Sequence, residues 1–506
     1  MNARKLKNAL AAVSYVRVVD DGDLEYQAVV SIDNGRISHE PGLIAIPDVP
    51  LQGFDTSAHE KRIERTIEAV SKIVRICWEQ GARLTVKSGG HSAAGYCLNT
   101  GQVVLDLRFC DWLLFDEQDG RVRAGVGQRF YRLYDFLEGT RTGLVPVGGG
   151  CPSVGLGGFL LGGGYSFLSR SYGLGADNVV SYCVVLADGS VRNVGIDSTD
   201  PLDKELFWGL RGAGGGNFGV VVDAELQCHK PKSETLLVGQ VLFPLHRTVE
   251  VMEAYNDWAH NLPPEMAVYG YFGNQPDPRL PGERVPSLRF TPVYNGPFDE
   301  GVAQLKRLFE LDPIRVELLN MTIHEWEDLI KSGTGVAGRN AYIRSTMLEK
   351  RQMNKDVADV FVKYMTRRPS RDSFVVWTHA GGAVRNPSNG ETAFAHRQVE
   401  YIPEVKSIWP KDRPQDRRKN VEWAHNFYDD LHDAGHGSGM YINYIDPLIE
   451  DWQQVYYGDM WDRLVALRDK VDPTCFFEFQ QGIGSKWQAD TSSPLDLSPL
   501  DRTWAP

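Results

Sequence analysis

The pattern of apolar and polar positions predicts a long amphipathic helix early in the chain. Apolar side chains recur three or four positions apart over residues 63–77, which is the spacing of one helix face. Residues 57–60 precede them with the form of a capping box, and Gly81 is a residue type that ends helices. The apolar positions of this face are Ile63, Ile67, Val70, Val74 and Cys77.

Shorter apolar runs follow this helix and predict an α/β arrangement. Residues 84–86 and 103–107 have strand length and composition, whereas residues 130–137 return to helical spacing. Residues 179–194 predict a hairpin that turns at Asp188-Gly189. Strands and helices are therefore expected to alternate from about residue 41.

Beyond residue 235 the composition of the chain changes. Glycine clusters become rare, strand-like segments such as 287–290 and 374–377 alternate with charged helices, and aromatic segments resume after residue 440. We interpret this as a discontinuous first domain with a substrate-binding domain inserted in it. The expected divisions are a loosely specified lead-in (1–40), the first part of the domain (41–235), the insertion (236–439), the closing segment (440–490) and a tail (491–506).

Charge and cysteine content exclude several functional classes. The chain has 54 basic and 66 acidic residues and a net charge of −12, so it lacks the basic character that nucleic-acid binding requires. The seven cysteines are scattered, which does not resemble a disulfide framework or a metal site. No apolar run would span a membrane. The apolar stretch 9–13 is too short for a convincing secretory signal, so we expect a cytoplasmic protein and leave secretion open.

Two glycine-rich clusters indicate a phosphate-bearing ligand. They occupy residues 148–164 and 212–219, and turns of this kind free backbone N–H groups to bind phosphates. Neither cluster has the spacing of a nicotinamide Rossmann motif. A dinucleotide held by a different glycine-rich scaffold fits better, and tight turns without a ligand are the alternative.

A nucleophilic side chain lies in each of two glycine turns. His91 follows Ser88-Gly89-Gly90, and Cys151 follows Gly148-Gly149-Gly150. Glycine lets the backbone approach a planar ligand closely, and an imidazole and a thiol directed at one ligand could tether it by two covalent bonds. The alternatives are a structural histidine in a turn and a small buried thiol.

These motifs, taken in order, resemble the berberine bridge enzyme-like flavoproteins over residues 41–485. The resemblance implies an α+β protein with the vanillyl-alcohol oxidase-type FAD-binding fold, made of two α/β subdomains, and an inserted antiparallel sheet covered by helices. The blocks that carry it are Ser88-Gly89-Gly90-His91-Ser92, Gly150-Cys151-Pro152-Ser153-Val154-Gly155-Leu156-Gly157-Gly158, Gly162-Gly163-Gly164-Tyr165, Phe207-Trp208-Gly209-Leu210-Arg211-Gly212, Tyr441-Ile442-Asn443-Tyr444 and Asp472-Pro473-Thr474-Cys475-Phe476-Phe477.

The family resemblance implies bicovalent FAD. His91 would join the 8α-methyl carbon of the flavin and Cys151 would join ring carbon 6. The other residues that the resemblance assigns to the cofactor are Ser88, Gly89, Gly90, Ser92, Gly150, Val154, Gly155, Gly157, Gly158, Gly163, Asn217, Tyr441 and Asn443.

Tyr444 matches the catalytic tyrosine of the family and is the expected base. An unperturbed tyrosine has a pKa of about 10, so action near pH 7 needs a shift of roughly 3 units, or about 4 kcal/mol. Positive charge, a hydrogen-bond donor or the oxidised flavin could supply part of this shift. The alternative is a ring that only packs against the cofactor.

The chain departs from plant members of the family in two places. Those proteins often use a glutamate base from the inserted domain, but residues 381–386 offer no carboxylate, and Asn386 is the nearest polar candidate. This weakens an alkaloid-cyclising mechanism and favours Tyr444. Phe159 stands where plant members tend to have a histidine. Val154 matches a position that tends to gate oxygen in the family, and valine there goes with oxidase behaviour; simple core packing is the alternative.

The expected function is an FAD oxidase that converts an alcohol and molecular oxygen to a carbonyl compound and hydrogen peroxide. Sugars or oligosaccharides are favoured as substrates over secondary-metabolite alcohols. Trp377, His379 and Tyr401 are the candidate substrate contacts, since they lie on strand-like segments of the insertion. The alternatives are an FAD-dependent dehydrogenase or oxidative cyclase and a flavin-binding protein without turnover.

Overall fold

Three β-sheets organise the chain. The computed structural model describes residues 3–53, 55–276, 282–330, 336 and 338–485. The expected tail 491–506 therefore lies outside the described residues, as do the last five residues of the closing segment. No helix within these ranges is long and apolar enough to cross a membrane.

The first sheet has the order β1-β2-β4-β3. Strands β2, β4 and β3 are parallel, and β1 pairs with β2 in the antiparallel sense. Its strands are β1 (Val16–Val19), β2 (Leu43–Pro47), β3 (Leu84–Lys87) and β4 (Val103–Asp106). The helices of this part are α1 (Ala3–Ala11), α2 (Tyr26–Val30) and α3 (Thr56–Glu79).

The second sheet is antiparallel and has the order β5-β6-β9-β7-β8. The predicted hairpin is confirmed as β7 and β8, and Gly189 in its turn has a φ of 82°. The strands are β5 (Leu113–Asp116), β6 (Arg121–Gly125), β7 (Val179–Val185), β8 (Val191–Gly195) and β9 (Val220–Gln227). The helices are α4 (Phe130–Thr140), α5 (Leu156–Leu161), α6 (Ser169–Tyr172) and α7 (Pro201–Gly209).

The inserted domain is built on a seven-stranded antiparallel sheet of order β13-β10-β12-β11-β15-β16-β14. Its strands are β10 (Leu236–Pro244), β11 (Met266–Pro276), β12 (Arg284–Tyr294), β13 (Arg315–Met321), β14 (Asn340–Ser345), β15 (Phe374–His379) and β16 (Tyr401–Trp409). The helices are α8 (Thr248–Ala259), α9 (Phe298–Gln304), α10 (Lys306–Phe309), α11 (Ile323–Ile330), α12 (Lys355–Thr366) and α13 (Arg417–Gly435). The closing segment adds α14 (Trp452–Tyr457) and α15 (Trp461–Val471).

The two faces of this large sheet have different environments. Side chains alternate between the faces along each strand. One face carries Val375 and Val405, which are fully buried in a core formed with α8, α12 and α13. The opposite face, with Val376 and Glu404, lines the main cavity of the protein. The sheet therefore acts as a wall between a dry core and a ligand-sized space.

Helix α3 begins earlier than the sequence pattern predicts. Its N-cap is Asp55, whose side chain accepts a hydrogen bond of 2.7 Å from the backbone N–H of Ala58. Asp55 is extended before the helix, so its carboxylate can satisfy a free N–H group of the first turn. The capping box expected at residues 57–60 is therefore inside the helix, whereas the predicted end near Gly81 is confirmed.

The expectation of a loose lead-in over residues 1–40 is wrong. Strand β1 joins the first sheet, and Leu6 and Leu10 of α1 are fully buried. Asn34 accepts a hydrogen bond of 3.1 Å from Ala341 of β14, and it donates one of 3.2 Å to the carbonyl of Ala93, beyond the His91 turn. Leu6 and Leu10 have the i,i+4 spacing of a helix face, but α2 and β1 are only five and four residues long and give no comparable periodic signal.

Asp446 joins the closing segment to the inserted sheet. Its carboxylate lies 2.6 Å from Nε of Arg344 and accepts hydrogen bonds of 3.0 and 2.9 Å from the Tyr342 hydroxyl. The Asp446 side chain is fully buried, and its backbone N–H donates to the Tyr456 hydroxyl. A buried charge of this kind is stable only while its partners are present.

We expect Asp446→Ala to lower the free energy of unfolding by about 3–5 kcal/mol, because it leaves the buried Arg344 guanidinium without its main counter-charge. Urea titration followed by tryptophan fluorescence measures the change. Asp359→Asn, which removes an exposed i,i+4 ion pair with Lys355, is the matched control and should leave stability unchanged within error. Equal effects of the two substitutions would contradict the role of Asp446.

Candidate active site

A cavity of about 830 Å³ lies between the inserted sheet and the glycine turns of the first domain. This volume is at the upper end of the roughly 300–1,000 Å³ of small-molecule sites. Most of the predicted site residues line it. They are His91, Cys151, Ser88, Gly89, Gly90, Ser92, Gly150, Val154, Gly155, Gly157, Gly158, Asn217, Tyr441, Asn443 and Tyr444.

The glycine turns form a wall without side chains. A Cβ atom on Gly89 would lie 2.3 Å from the backbone nitrogen of Gly155, so the two turns pack backbone to backbone. A Cβ atom on Gly158 would meet nothing within 4 Å, although Gly158 lines the cavity. Gly163 was expected to contact the cofactor, but it does not line the cavity, and a Cβ there would lie 2.9 Å from the Phe394 ring.

Residues of both glycine clusters line the cavity. The cavity extends from the His91 turn to Ala213–Asn217 and to the aromatic residues 477 and 479. Asn217 fixes the second cluster: its amide donates to the carbonyl of Ala213 at 3.2 Å and accepts from the N–H of Ile483 at 2.9 Å. The bare glycine wall and the two distant clusters fit a flat, extended dinucleotide such as FAD.

His91 and Cys151 both lie in the cavity wall. Burial lowers the pKa of the His91 imidazole, and the charge of Asp33 opposes this effect. Nδ1 of His91 lies 3.8 Å from the Asp33 carboxylate, and the Cys151 sulfur lies 3.5 Å from the Ser153 hydroxyl. A neutral imidazole keeps a free lone pair, which a nucleophilic nitrogen needs. Asp33 was missed because it lies in the segment expected to be a lead-in.

Tyr441 and Asn443 have well-defined positions. The Tyr441 hydroxyl accepts a hydrogen bond of 2.9 Å from the N–H of Gly164, and Asn443 donates to the same hydroxyl at 2.9 Å. Asn443 also donates to the carbonyl of Phe159 at 3.2 Å. These bonds connect the closing segment to the glycine wall and hold Tyr444, whose ring meets the Tyr441 ring edge to face at 5.2 Å.

Two charged residues of β16, missed by the sequence analysis, face the cavity. Glu404 and Lys406 form an ion pair of 2.8 Å, and both side chains are largely buried. Burial lowers the pKa of Lys406, but the charge and hydrogen bond of Glu404 outweigh it and hold the pKa above its ordinary value. The signal was in the sequence: two charges at alternate positions interrupt an otherwise apolar strand.

Tyr444 is next to this ion pair. The Lys406 ammonium lies 5.6 Å from the centre of the Tyr444 ring. Burial raises the pKa of Tyr444 well above 10, and the charges of Glu404 and Tyr441 and a hydrogen bond with Glu404 raise it further. The phenol is therefore protonated at neutral pH in this arrangement, which is the opposite of the shift that a free tyrosinate base requires.

The Glu404 carboxylate corrects one inference from the sequence. The inserted domain does supply a carboxylate to the cavity, but from β16 rather than from residues 381–386. Asn386 is exposed and does not line the cavity. Phe159 and Val154 do line it, and the Phe159 ring packs edge to face against Phe130 at 4.6 Å.

The three expected substrate contacts lie on the opposite face of the sheet. Trp377, His379 and Tyr401 are fully buried, and none lines the cavity. His379 accepts a hydrogen bond of 3.1 Å from Val268; burial, followed by the charge of Arg170, lowers the pKa of His379 to about 4. Their prediction as substrate contacts is incorrect because it selected the alternate positions of β15 and β16, which face the helix-covered core.

Comparison with known proteins gives matches at both ends of the chain. The sequence profile of the FAD binding domain matches residues 63–195, and the profile named berberine and berberine like matches residues 440–484. Glucooligosaccharide oxidase from Sarocladium strictum is 26% identical over 477 residues, which are 88% of this chain and 87% of that protein. (R)-6-hydroxynicotine oxidase from Paenarthrobacter nicotinovorans is 27% identical over 487 residues, 92% of this chain and 96% of that protein.

Solved structures show the same fold. Physcomitrella patens BBE-like 1 superposes with a TM-score of 0.81 and 21% sequence identity, covering 96% of this chain and 100% of that one. The expected α+β architecture with a vanillyl-alcohol oxidase-type FAD-binding domain is therefore confirmed. The two matched profiles, the oxidase relatives and this fold agree: the chain is similar over most of its length to the berberine bridge enzyme-like FAD-linked oxidoreductases, and it is an FAD-linked oxidoreductase.

Proposed function

We propose that the protein oxidises an alcohol with FAD that is held by covalent bonds to His91 and Cys151, and that oxygen is the final acceptor. The observation that carries this proposal is the convergence of five groups on one cavity. Asp33, His91, Cys151, Lys406 and Tyr444 all line the cavity; Nδ1 of His91 lies 3.8 Å from the Asp33 carboxylate, and the Lys406 ammonium lies 5.6 Å from the centre of the Tyr444 ring. A ligand attached in this cavity therefore shares it with the groups that can move a proton.

The attachment is supported by the two nucleophiles and their surroundings. His91 is largely buried, with a pKa that burial lowers, so its imidazole is neutral and nucleophilic at physiological pH. Cys151 is partly accessible and lines the same cavity, whereas four of the other cysteines are buried. Two bonds from different turns would fix both the position and the plane of the flavin ring.

Bound FAD supplies the hydride acceptor, and the protein supplies the path for the proton. The substrate hydroxyl would donate a hydrogen bond to the Tyr444 oxygen. As the carbinol C–H bond breaks, the hydroxyl proton moves to Tyr444, and the phenol proton moves to the Glu404 carboxylate. Lys406 keeps Glu404 in place through their 2.8 Å ion pair. Tyr444 then never has to exist as a free tyrosinate, which its raised pKa disfavours.

An oligosaccharide is the favoured substrate class within this proposal. The name of the relative from Sarocladium strictum gives a precedent for such substrates. The stacked rings of Tyr271 and Phe374, 4.9 Å apart, also line the cavity, and aromatic faces suit sugar rings. The competing function is oxidation with an acceptor other than oxygen, and the small side chain of Val154 in the cavity wall favours oxygen.

Covalent attachment gives the first prediction. His91→Ala and Cys151→Ala should each keep flavin bound after acid precipitation, through the remaining bond, and the double variant should keep none. Flavin fluorescence of the precipitated protein measures the retained cofactor. Cys97→Ala is the matched control: Cys97 also lines the cavity, but burial raises the pKa of its thiol to about 11. Loss of all covalent flavin from either single variant would contradict attachment at two residues.

The proton path gives the second prediction. Tyr444→Phe and Glu404→Gln should each lower the anaerobic rate of flavin reduction by about 10²–10⁴-fold, since each removes one member of the path. Stopped-flow bleaching of the flavin absorbance measures this rate. Tyr165→Phe is the control, because Tyr165 also lines the cavity and its buried hydroxyl has no partner among the described residues. A wild-type rate that climbs steadily with pH between 7 and 9 would instead indicate that Tyr444 must ionise first.

The choice of acceptor gives the third prediction. Val154→Leu should slow reoxidation of the reduced flavin by oxygen at least tenfold, because the larger side chain fills the space through which oxygen approaches. The rate of anaerobic reduction should stay within about twofold, since Val154 takes no part in the proton path. Mixing reduced enzyme with oxygenated buffer measures reoxidation directly. Equal slowing of both half-reactions would show a general disturbance of the cavity.

A further inference from the structure

Arg289 faces the cavity at a fixed distance from the proton path. Backbone pairing places Arg289 of β12 opposite Tyr271 of β11, Tyr271 opposite Val376 of β15, and Val376 opposite Glu404 of β16. All four side chains line the cavity. Neighbouring strands are about 4.8 Å apart, so the three steps separate the backbone of Arg289 from that of Glu404 by about 14 Å.

The positive charge of Arg289 has only neutral partners among the described residues. Its Nη1 donates to the amide oxygen of Gln275 at 3.1 Å, and its guanidinium lies 4.6 Å from the centre of the Tyr271 ring. The Nε atom is buried and has no hydrogen-bond partner within the described ranges. Burial lowers the pKa of Arg289, and the nearby charge of Arg284 lowers it further, although Tyr271 opposes both. Arg289 as a whole is half-buried, so its charge is partly removed from water without an opposite charge beside it, which is costly.

The carboxylate that shares this part of the cavity is already engaged. Glu317 of β13 forms an ion pair of 2.7 Å with Arg315 and accepts a hydrogen bond of 2.9 Å from Gln240. Between Arg289 and Glu404, the Tyr271 and Phe374 rings stack and form an apolar stretch of the wall. This wall therefore has a cation at one end, aromatic rings in the middle and the proton path at the other end.

We propose that Arg289 binds a carboxylate group of the substrate, and hence that the preferred substrate is an alcohol whose far end carries a carboxylate. The planar guanidinium matches a carboxylate, and a charge-assisted hydrogen bond in a partly enclosed cavity is strong and directional. The separation of the two ends fits a substrate of two linked rings. This inference rests on the proposed function only in taking Tyr444 and Glu404 as the reacting end.

Two pairs of probes test the inference. One pair is cellobiouronate, with its carboxylate on the non-reducing ring, and its methyl ester. The other is 4′-(hydroxymethyl)biphenyl-4-carboxylate and its methyl ester. Dissociation constants come from anaerobic titration of the holoenzyme, followed by flavin absorbance and by calorimetry. In at least one pair, the wild-type protein should bind the carboxylate about 10–100-fold more tightly than the ester.

Arg289→Gln should remove this preference without weakening ester binding by more than about twofold, and Arg289→Lys should restore only part of it. If the enzyme oxidises one of the carboxylate probes, Arg289→Gln should raise the KM for that probe and leave kcat unchanged, because Arg289 contacts the substrate away from the reacting carbon. Arg307→Gln is the control: Arg307 is an exposed arginine of α10 that pairs with Glu310 and does not line the cavity, and its loss should change neither KM nor the dissociation constant of the carboxylate by more than about twofold.

The inference is overturned if neither carboxylate binds better than its ester, or if Arg289→Gln weakens acid and ester equally. Melting temperature and flavin content of each variant separate these results from misfolding. Failure of the proposed function would look different. In that case the carboxylate would still bind through Arg289, but the flavin of the wild-type protein would not bleach.

Discussion

The central strands of the seven-stranded sheet place one set of side chains in a dry core and the alternate set in the cavity, and the site depends on this division. Because successive residues of a strand point to opposite faces, a single choice of register fixes both surfaces at once. Val405 goes into the core while Glu404 and Lys406 go into the cavity. A slip of one residue in β16 would bury both charges under helices α12 and α13 and expose an apolar row.

Two buried ion pairs, one in the cavity wall and one where the closing segment meets the inserted sheet, are stable because each charge has an opposite charge close by. Glu404 and Lys406 neutralise each other, and Asp446 lies between Arg344 and Tyr342 where the closing segment meets β14. These pairs contribute position rather than net stability, since removing two charges from water costs nearly as much as their attraction returns. Their function is to hold Tyr444 and the carboxylate in one arrangement before a substrate arrives.

The first forty residues are part of the folded domain and contribute Asp33 to the site. The Asp33 carboxylate is near His91, and Asn34 links the segment beyond the His91 turn to β14 of the inserted sheet. A flavin attached to this turn would therefore be held against the inserted domain by a segment from the start of the chain. Among the described residues of 1–40, Asp33 is the one that lines the cavity.

The sequence by itself determined the resemblance to FAD-linked oxidoreductases, the glycine wall and the cavity residues of the closing segment, because these depend on local motifs such as the His91 and Cys151 turns and the Tyr441–Tyr444 segment. It also gave the hairpin at Asp188-Gly189, which is a short-range feature. Tertiary structure alone decided which face of β15 and β16 meets the ligand: Glu404 and Lys406 line the cavity, whereas Trp377, His379 and Tyr401 are buried on the opposite face. Strand periodicity gives two alternating sets of side chains but does not say which set is covered by helices. Only the packing of the sheet against its neighbours resolves that choice.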